Sequence, residues 1–415
     1  MKVTVFLNNL ALGGTPKAAF GWARGLKERG HQVEVLTLKD GLWRVEFEKH
    51  GLRVRAVDCS AQAVVAALKE NLSDIIHAHV PGIPHEGDVL GEALALLPKI
   101  PVVQTNIFGK LQNPKENAWT DFRLFVSWTN CVQAARRVFW RLDEIFFRRA
   151  SVAVNPLDAV EPSSATEVAV FRKQIGVADD EILFGRFSRP EPNKWTNLAL
   201  DAFRLALRRN QKIKLLLREP PPLVAEQLRA SPDARRFVIL PATAETEELR
   251  LTMSALDAVL HTSSIGESFG YGIAEPMNLG KPVITHSVPW HDQAQLELVR
   301  HGECGFVAST SATMAGAILR LADDASLRER MGAAAQRHVR ALADPETSII
   351  RIEQVCRAVL EGRDNPFAAE DLLCAKETAA YLDAHQFGHT LGEQLALRPF
   401  YWRVRFHQWR CRKPA

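Results

Sequence analysis

The chain of 415 residues has few cysteines and no long apolar run. Its six cysteines are scattered and none forms a C-x-x-C pair, so neither a zinc site nor a disulfide framework is indicated, and a reducing compartment is the simplest interpretation. No stretch approaches the roughly 18 apolar residues that a membrane-spanning helix requires. Because the net charge is only +4, the composition gives no sign of a nucleic-acid partner.

Internal repeats and low-complexity tracts are absent as well, and 47% hydrophobic with 24% charged residues is an ordinary globular composition. The length therefore suits two domains of about 200 residues each. The apolar start, residues 1–7, is cut short by Asn8 and Asn9, which favours a first β-strand over a signal peptide.

This first strand opens an alternating strand–helix pattern. The loop with Gly13 and Gly14 leads into a helix predicted from about Pro16 to Arg29, and residues 32–37 have the pattern of the next strand. Such a βαβ unit predicts a parallel sheet. The glycine pair is not the dinucleotide fingerprint, since no G-x-G-x-x-G is present, and an ordinary tight turn is one interpretation of it.

Two later strands of this half end in polar residues. The strand at 74–79 ends in His77 and His79, which alternation places on one side, but no third ligand at motif spacing supports a metal site. Structural histidines or histidines of an acceptor cleft are therefore the favoured interpretations. The next strand, near 101–107, ends at Asn106.

The stretch 257–285 carries the strongest functional signal. Two short apolar strands flank a loop with Gly270 and Gly272 that runs into a short helix. A helix N-terminus presents N–H groups and a positive dipole end, so it binds phosphate well, and glycines let the backbone come close to a ligand. Glu267 and Glu275 stand at the two ends of the loop, where one can face a reacting centre and the other a polyol such as ribose.

A predicted strand that begins at Ile182 runs into a basic loop, and a helix follows that runs to about residue 208. The segment from the strand to the helix contains Arg186, Arg189 and Lys194. Its place at a strand–helix junction favours phosphate binding, and a solvated run of charges is the alternative.

The pair Glu267 and Glu275 has seven residues between its members, with Ser-Phe-Gly after the first and Gly-Lys-Pro-Val-Ile after the second. This stretch resembles the signature of family-4-type retaining glycosyltransferases of the GT-B fold. The resemblance covers about residues 1–360 and is very tight at 257–307. It is fairly tight at the Gly13-Gly14 loop, loose between 107 and 150, and absent after about 365.

The resemblance implies an α/β architecture that is GT-B-like, with two doubly wound Rossmann-like domains facing a central cleft. Residues 1–160 would form the N-terminal acceptor-side domain, and residues 161–375 the C-terminal nucleotide-sugar-binding domain. The linker is placed near 156–165, where the composition turns to Pro, Ser, Ala and Glu. The C-terminal helices of about 375–415 are expected to cross back onto the first domain.

The resemblance also implies three catalytic residues. Glu267 would contact the hydroxyls of the transferred sugar, while Arg186 and Lys194 would bind the donor diphosphate and stabilise it as it leaves. The basic loop is longer here than in relatives, so Arg189 could take the place of Arg186, and Trp195 stands where a glycine is common.

Further residues are implied to bind the donor. Glu275 would accept hydrogen bonds from the ribose diol, and the glycine pair would approach the diphosphate. Asn106 or Ile107 stands where many relatives have a histidine that contacts the donor sugar, a departure that affects recognition of the sugar. The donor-binding residues expected beside Glu275 are Gly13, Gly14, Asn106, Arg189, Ser268, Phe269 and Gly270.

The implied function is transfer of a sugar from a nucleotide-diphosphate sugar to a carbohydrate or lipid-linked acceptor. Transfer would proceed with retention and without a metal ion or other cofactor, in bacterial polysaccharide or glycolipid synthesis. The alternatives are a sugar-nucleotide epimerase and a non-catalytic nucleotide-sugar-binding protein of the same fold. An epimerase would need a set of acid–base residues around the sugar that is not evident, and a binding protein would tolerate loss of the Arg–Lys pair that is present.

The expected location is cytoplasmic, with peripheral binding to the inner face of the membrane as a further hypothesis. Aromatic residues and arginines interleave between 108 and 150, and the tail 398–413 holds six basic residues, five aromatics and no acid. Such segments suit an anionic membrane surface. In the alternative interpretation the aromatics pack inward and the arginines face water.

Overall fold

The computed structural model describes residues 1–83, 87–243 and 245–410, with side chains described to residue 407. The chain divides into two compact units. The first unit joins Met1–Asp158 to Ala343–Tyr381, and the second joins Ala159–Leu342 to the chain from Leu382 onward.

The first unit is built on a parallel seven-stranded sheet of order β3-β2-β1-β4-β5-β6-β7. All six residues of its central strand 75–80 are buried, which is the pattern of a sheet covered by helices on both faces. The strands are β1 Lys2–Leu7, β2 Gln32–Thr37, β3 Arg53–Ala56, β4 Ile75–Val80, β5 Val102–Asn106, β6 Phe122–Phe125 and β7 Ala150–Val152, and the helices are α1 Gly14–Glu28, α2 Arg44–Lys49, α3 Ala61–Asn71, α4 Val89–Leu94, α5 Pro114–Trp119, α6 Trp128–Val138 and α7 Glu144–Arg148.

The second unit has a parallel six-stranded sheet of order β10-β9-β8-β11-β13-β15 and a separate parallel pair, β12 with β14. The strands are β8 Ile182–Phe187, β9 Ile213–Arg218, β10 Phe237–Leu240, β11 Ala258–Leu260, β12 Gly266–Glu267, β13 Val283–Thr285, β14 Asp292–Gln293 and β15 Gly305–Val307, and the helices are α8 Ala165–Gln174, α9 Asn197–Leu207, α10 Pro222–Arg229, α11 Thr246–Ser254, α12 Tyr271–Asn278, α13 Ala294–Leu298, α14 Ser311–Asp323 and α15 Ala325–Leu342. The order of both sheets reverses beside a central strand, as doubly wound α/β folds do.

Three helices complete the chain: α16 Pro345–Leu360, α17 Ala368–His385 and α18 Leu391–Arg410. The predicted return to the first unit at about residue 375 is wrong in position, because the returning segment begins at Ala343 and α18 lies with the second unit. The reason is visible in α1, where a Cβ added at Gly25 would lie 2.0 Å from Cδ1 of Ile349. This glycine leaves the space that α16 fills, and Glu353 of α16 pairs with Arg29 at 2.5 Å.

In the segment 108–150, some aromatic side chains are buried and others are exposed, so each of the two interpretations fits part of it. Phe125 and Phe147 are fully buried, as the inward-packing alternative requires, whereas Phe139 and Trp140 are 41% and 49% exposed. Arg123 donates from Nε to Gln104 Oε1 at 2.8 Å, so this arginine is part of the fold of the unit. Among the described residues, no helix has both the length and the apolar character needed to cross a bilayer.

Candidate active site

The candidate site lies at the carboxyl edge of the second unit's sheet. Arg186 belongs to β8, while His261 and His286 directly follow β11 and β13. These three strands are neighbours in a parallel sheet, so their carboxyl ends meet at one edge. This topology brings together residues that are up to 100 positions apart, since 286 minus 186 is 100.

Glu267 is held in place by the short β12–β14 pairing. Gly266 has φ +64°, and a Cβ at this position would come within 1.8 Å of the Asp292 carbonyl oxygen. Glycine is therefore the residue that lets β12 pair so closely with β14. The Glu267 N–H donates to Oε1 of Gln295 at 3.0 Å, and Ser268 Oγ donates to Oδ2 of Asp292 at 2.5 Å.

The next residues form the start of α12. Gly270 is its N-cap in a left-handed conformation with φ +100°. Pro276 lies inside the helix rather than in its first turn, so α12 loses one backbone hydrogen bond at this point. Glu275 is half-buried one turn after the start of α12.

Glu267 forms the centre of a buried charge cluster. Its Oε1 accepts a hydrogen bond from Nζ of Lys194 at 2.7 Å and lies 3.0 Å from Nε2 of His261. Lys194 also donates to the carbonyl oxygen of Gly266 at 3.2 Å. The cluster therefore fixes a lysine of the basic loop on a carboxylate 73 residues further along the chain.

The ionisation of this cluster follows from its contacts. Burial raises the pKa of Glu267, but the hydrogen bond with His261 and the charge of Lys194 outweigh it and lower this pKa to about 2. Burial lowers the pKa of His261 below its ordinary value, against the opposing effect of Glu267. At neutral pH Glu267 is thus an ionised acceptor, and neutral His261 donates from Nε2 to it.

Arg186 is buried within the fold rather than presented at the surface of the site, with an exposed fraction of 1%. Its terminal nitrogens donate to Oγ1 of Thr262 at 2.5 Å, to the Thr262 carbonyl at 2.9 Å and to the Lys194 carbonyl at 2.7 Å. Its guanidinium lies 4.5 Å from the ring centroid of Trp195. Burial lowers its pKa to about 9, which leaves it a cation at neutral pH.

Arg189 has the opposite environment. Its side chain is 57% exposed and pairs with Glu191 at 2.9 Å. Its carbonyl oxygen accepts a hydrogen bond from Nε1 of Trp195 at 2.8 Å. Trp195, at the position where the resemblance led us to expect a glycine, thus contacts both the backbone of Arg189 and the guanidinium of Arg186.

The first unit places its predicted residues at the carboxyl ends of β4 and β5 and at the start of α1. Gly13 is extended with φ 164°, and a Cβ at this position would meet no atom within 4 Å. Asn106 is 1% exposed, and its side-chain amide both donates to the Lys110 carbonyl and accepts from the Lys110 N–H. Asn106 therefore closes a loop of its own unit.

His77 and His79 are buried beside Trp22. Their rings lie 4.4 Å apart and each is within 5.5 Å of the indole of Trp22. Burial lowers the pKa of His77 to about 3, so the histidine is neutral. Within the described part of the chain, no group of three or more potential ligands could hold a metal ion.

Comparison with known families accounts for nearly the whole chain up to α15. Residues 13–169 match the Glycosyl transferase 4-like domain, and residues 168–338 match Glycosyl transferases group 1. The chain is a GT-B-type glycosyltransferase that resembles family 4. A search of curated proteins finds no match to it.

Solved structures share the fold of this glycosyltransferase at low sequence identity. HepE from Anabaena, in complex with UDP-glucose, superimposes with a TM-score of 0.72 at 21% identity over 86% of this chain and 100% of its own. A glycosyltransferase from Rickettsia africae gives 0.72 at 13% identity, covering 86% and 98% of the two chains. WaaG, a glycosyltransferase involved in lipopolysaccharide biosynthesis, gives 0.62 at 15% identity, covering 84% and 98%.

The structure of the glycosyltransferase brings together most of the predicted residues of the second unit. Lys194 and Glu267 are in direct contact, and Ser268, Phe269 and Gly270 lead into α12 as expected. Sequence analysis missed His261 and also His286, whose Nε2 accepts from the Ser263 N–H at 2.9 Å. The available signal was a polar residue at the end of each buried strand. This signal pointed to His77, His79 and Asn106 in the first unit, and it also applies to His261 and His286 in the second.

Proposed function

We propose that this glycosyltransferase moves a hexose from a nucleoside-diphosphate sugar to an acceptor hydroxyl with retention of anomeric configuration and without a metal ion. The contact between Lys194 and ionised Glu267, beside the N-terminus of α12, carries the proposal. It supplies a cation and oriented N–H groups for a diphosphate, and a carboxylate that accepts hydrogen bonds from sugar hydroxyls. HepE, which shares this fold, binds UDP-glucose, and this supports a UDP-sugar as donor.

Charge development determines the proposed roles. When the bond between the anomeric carbon and the β-phosphate oxygen breaks, negative charge grows on the diphosphate and positive charge on the sugar. Lys194 and the N–H groups of Ser268, Phe269 and Gly270, which lead into α12, stabilise the leaving group. Each such donor contributes about 3 kcal/mol to transition-state stabilisation.

The two arginines take different roles in this proposal. Because its guanidinium is committed to Thr262 and the Lys194 carbonyl, Arg186 positions the lysine and does not bind phosphate directly. Arg189, which is exposed on the same loop, supplies the second cation to the diphosphate. The sequence left open which of the two arginines binds the diphosphate. The burial of Arg186 favours Arg189 in this role.

Retention is the outcome that the resemblance to family-4-type enzymes implies, and because the residues assigned to the site include no suitable covalent nucleophile, we propose a front-face route instead of a double displacement. Glu267, with a pKa of about 2 and its Oε1 shared by two donors, is a stabilised acceptor and a poor general acid. We assign the proton of the acceptor hydroxyl to an oxygen of the departing diphosphate. The new glycosidic bond then forms on the face from which the diphosphate leaves, and Glu275 holds the ribose diol.

The acceptor is proposed to be a carbohydrate or a lipid-linked sugar of a bacterial polysaccharide or glycolipid, used in the cytoplasm at the inner face of the membrane. WaaG, a structure of the same fold, takes part in lipopolysaccharide synthesis. Exposed Phe139 and Trp140 in one unit and Trp402 and Phe406 in the other support membrane association.

The decisive experiment is calorimetric titration with UDP, GDP and ADP, followed by product analysis with sugars of the preferred nucleotide. We expect one nucleotide to bind best, and we expect NMR of the product to show the anomeric configuration of the donor. Activity should survive EDTA. An inverted product, or an activity that EDTA abolishes and Mg²⁺ restores, contradicts the mechanism, and conversion of the donor into an epimer without transfer identifies an epimerase.

A further inference from the structure

We propose that one solvent-facing side of α18 docks the enzyme on a bilayer of anionic phospholipid. This inference rests on the membrane association proposed above and names the surface that makes the contact. We define the α18 stripe as Leu391, Leu395, Trp402 and Phe406. These four large apolar side chains are 72%, 67%, 65% and 58% exposed. Water-exposed apolar residues of this size, collected on one helix, mark an interaction surface.

The stripe has helical periodicity. At about 100° per residue, its four members fall within about 60° of one another around the helix axis. The opposite side of α18 holds the helix on the second unit. There Leu397 is 7% exposed, and the ring of Phe400 lies 4.4 Å from that of Trp290.

Glu393 secures the beginning of the same inward side. It is 1% exposed and accepts hydrogen bonds from the Ser309 N–H at 2.5 Å, from Thr313 Oγ1 at 2.8 Å and from the His389 N–H at 2.9 Å. Because α18 is anchored through this side, the stripe is presented outward by a fixed helix. The contacts of Glu393, Leu397 and Phe400 therefore hold α18 on its own unit through the side opposite the stripe.

Charge decides which occupant fits the stripe. At about 100° per residue, Arg398 and Arg405 lie on one flank of the stripe and exposed Arg403 on the other, with the Arg398 guanidinium 5.3 Å from the ring centroid of Phe387. The described residues 394–407 contain no acid. An anionic lipid surface attracts such arginines, and tryptophan prefers the interfacial layer. A second copy of the chain would place like charges against each other, which disfavours a dimer through this face.

The depth of binding is limited as well. Pro399 interrupts the apolar pattern, and none of the described helices qualifies to span a bilayer. With its inward side held on the second unit, α18 can insert only the stripe, while the flanking arginines stay at the level of the headgroups. The sequence predicted membrane binding by the tail 398–413. The surface proposed here begins earlier, at Leu391, and residues 411–413 lie outside the described part of the chain.

The test compares the double variant L395E/W402E with the control L223E. Leu223 lies on α10 of the same unit and is 66% exposed, which matches the 67% of Leu395. Co-sedimentation of the full chain with phosphatidylglycerol vesicles should fall about tenfold for the double variant and stay unchanged for the control. High salt should release the wild-type chain, since attraction to a charged surface is screened.

A second pair of variants tests the charge separately. R403Q should weaken vesicle binding about threefold and flatten its salt dependence, whereas R208Q, at an exposed arginine after α9, should do neither. Binding that L395E/W402E leaves unchanged, or equal binding to neutral phosphatidylcholine vesicles, overturns the inference. A dimer that sedimentation velocity detects and L395E/W402E dissolves also overturns it, because the occupant is then a second copy.

Measuring the rate of sugar transfer distinguishes a failure of this inference from a failure of the proposed function. L395E/W402E should transfer sugar to a soluble acceptor at the wild-type rate, because the stripe is outside the proposed donor site. If the wild-type chain turns over no nucleotide sugar but binds anionic vesicles through the stripe, the proposed function fails and the docking surface stands. Loss of both activity and the thermal unfolding transition in L395E/W402E would show that α18 is structural and would overturn the surface.

Discussion

The carboxyl ends of the two parallel sheets differ in whether the side chains at the strand ends are charged or neutral. In the second unit, ionised Glu267 and Lys194 lie in contact beside a helix N-terminus. In the first unit, the corresponding edge holds neutral His77 and His79 packed on Trp22, and an asparagine that closes its own loop. Similar topology therefore supports two chemistries, because the residues at the strand ends, and not the strands themselves, decide what an edge can bind.

The difference bears on the proposed donor site. A cationic side chain favours diphosphate binding, and an ionised carboxylate held in a largely buried place requires compensating contacts such as those of Glu267 with Lys194 and His261. The neutral edge of the first unit presents no net charge for a phosphate. Four predictions test or refine this contrast.

The largest effect is expected at Lys194. Replacing it by Ala removes the cation from the proposed leaving-group site and leaves buried Glu267 without one of its two donors, so kcat should fall about 10²–10³-fold. K212A is the control, because Lys212 is a surface lysine of the same unit that pairs with Asp180. Steady-state kinetics with the preferred nucleotide sugar measures both, and a kcat for K194A within twofold of wild type would remove the lysine from the mechanism.

The second prediction concerns Glu275 on α12. E275A should raise the donor KM at least about tenfold with a smaller change in kcat, because the ribose diol loses a paired carboxylate. Calorimetric affinity for the free nucleotide should fall in parallel. If KM and nucleotide affinity both remain at wild-type values, Glu275 does not contact the ribose.

The third prediction concerns the neutral edge of the first unit. The folded-state pKa of His77, about 3, is below the value of about 6.5 for an unfolded histidine, so the unfolded chain binds more protons between these values. The free energy of unfolding should therefore decrease as the pH falls below about 6.5, by about 1.4 kcal/mol per pH unit for this one histidine.

Denaturant unfolding between pH 7 and pH 4 measures this slope. H77Q keeps a hydrogen-bonding side chain for Oγ1 of Thr105, which lies 2.7 Å from Nε2 of His77, and it should reduce the slope by the stated amount. H50Q, which replaces a more exposed histidine of the same unit, is the control. An unchanged slope in H77Q would mean that His77 is protonated in the folded protein.

The smallest effect is expected at Gly13. Its extended backbone and the open space around its Cβ position predict that G13A changes the free energy of unfolding by less than about 0.5 kcal/mol. If the loop approaches the donor, KM should still rise about threefold. G25A is the contrasting variant, since its Cβ would overlap Ile349 and cost about 1–3 kcal/mol of stability. A G13A enzyme with unchanged KM would make the glycine pair an ordinary turn.

Much of this protein follows from local sequence pattern. Apolar strands that alternate with amphipathic helices predict parallel sheets, because βαβ connections place successive strands side by side. The strands predicted at 1–7, at 32–37 and from Ile182 correspond to β1, β2 and β8, and the prediction of a GT-B fold is confirmed. The E-x7-E stretch predicted a loop entering a helix, and Gly270 caps α12 there because a left-handed N-cap suits glycine.

Other properties depend on contacts between residues far apart in the chain, which local pattern does not encode. Arg186 near the end of β8 and Lys194 in the loop that follows are both basic residues, yet only the fold buries the first against Thr262 and directs the second to Glu267. The return of the chain at Ala343 depends on Gly25 leaving room for Ile349, 324 positions later. Sequence by itself determined the elements and the types of charge, because hydrogen-bonding period and side-chain chemistry are local. Tertiary structure alone decided which charges are buried, paired and neutral, because desolvation and ion pairing arise only when distant segments meet.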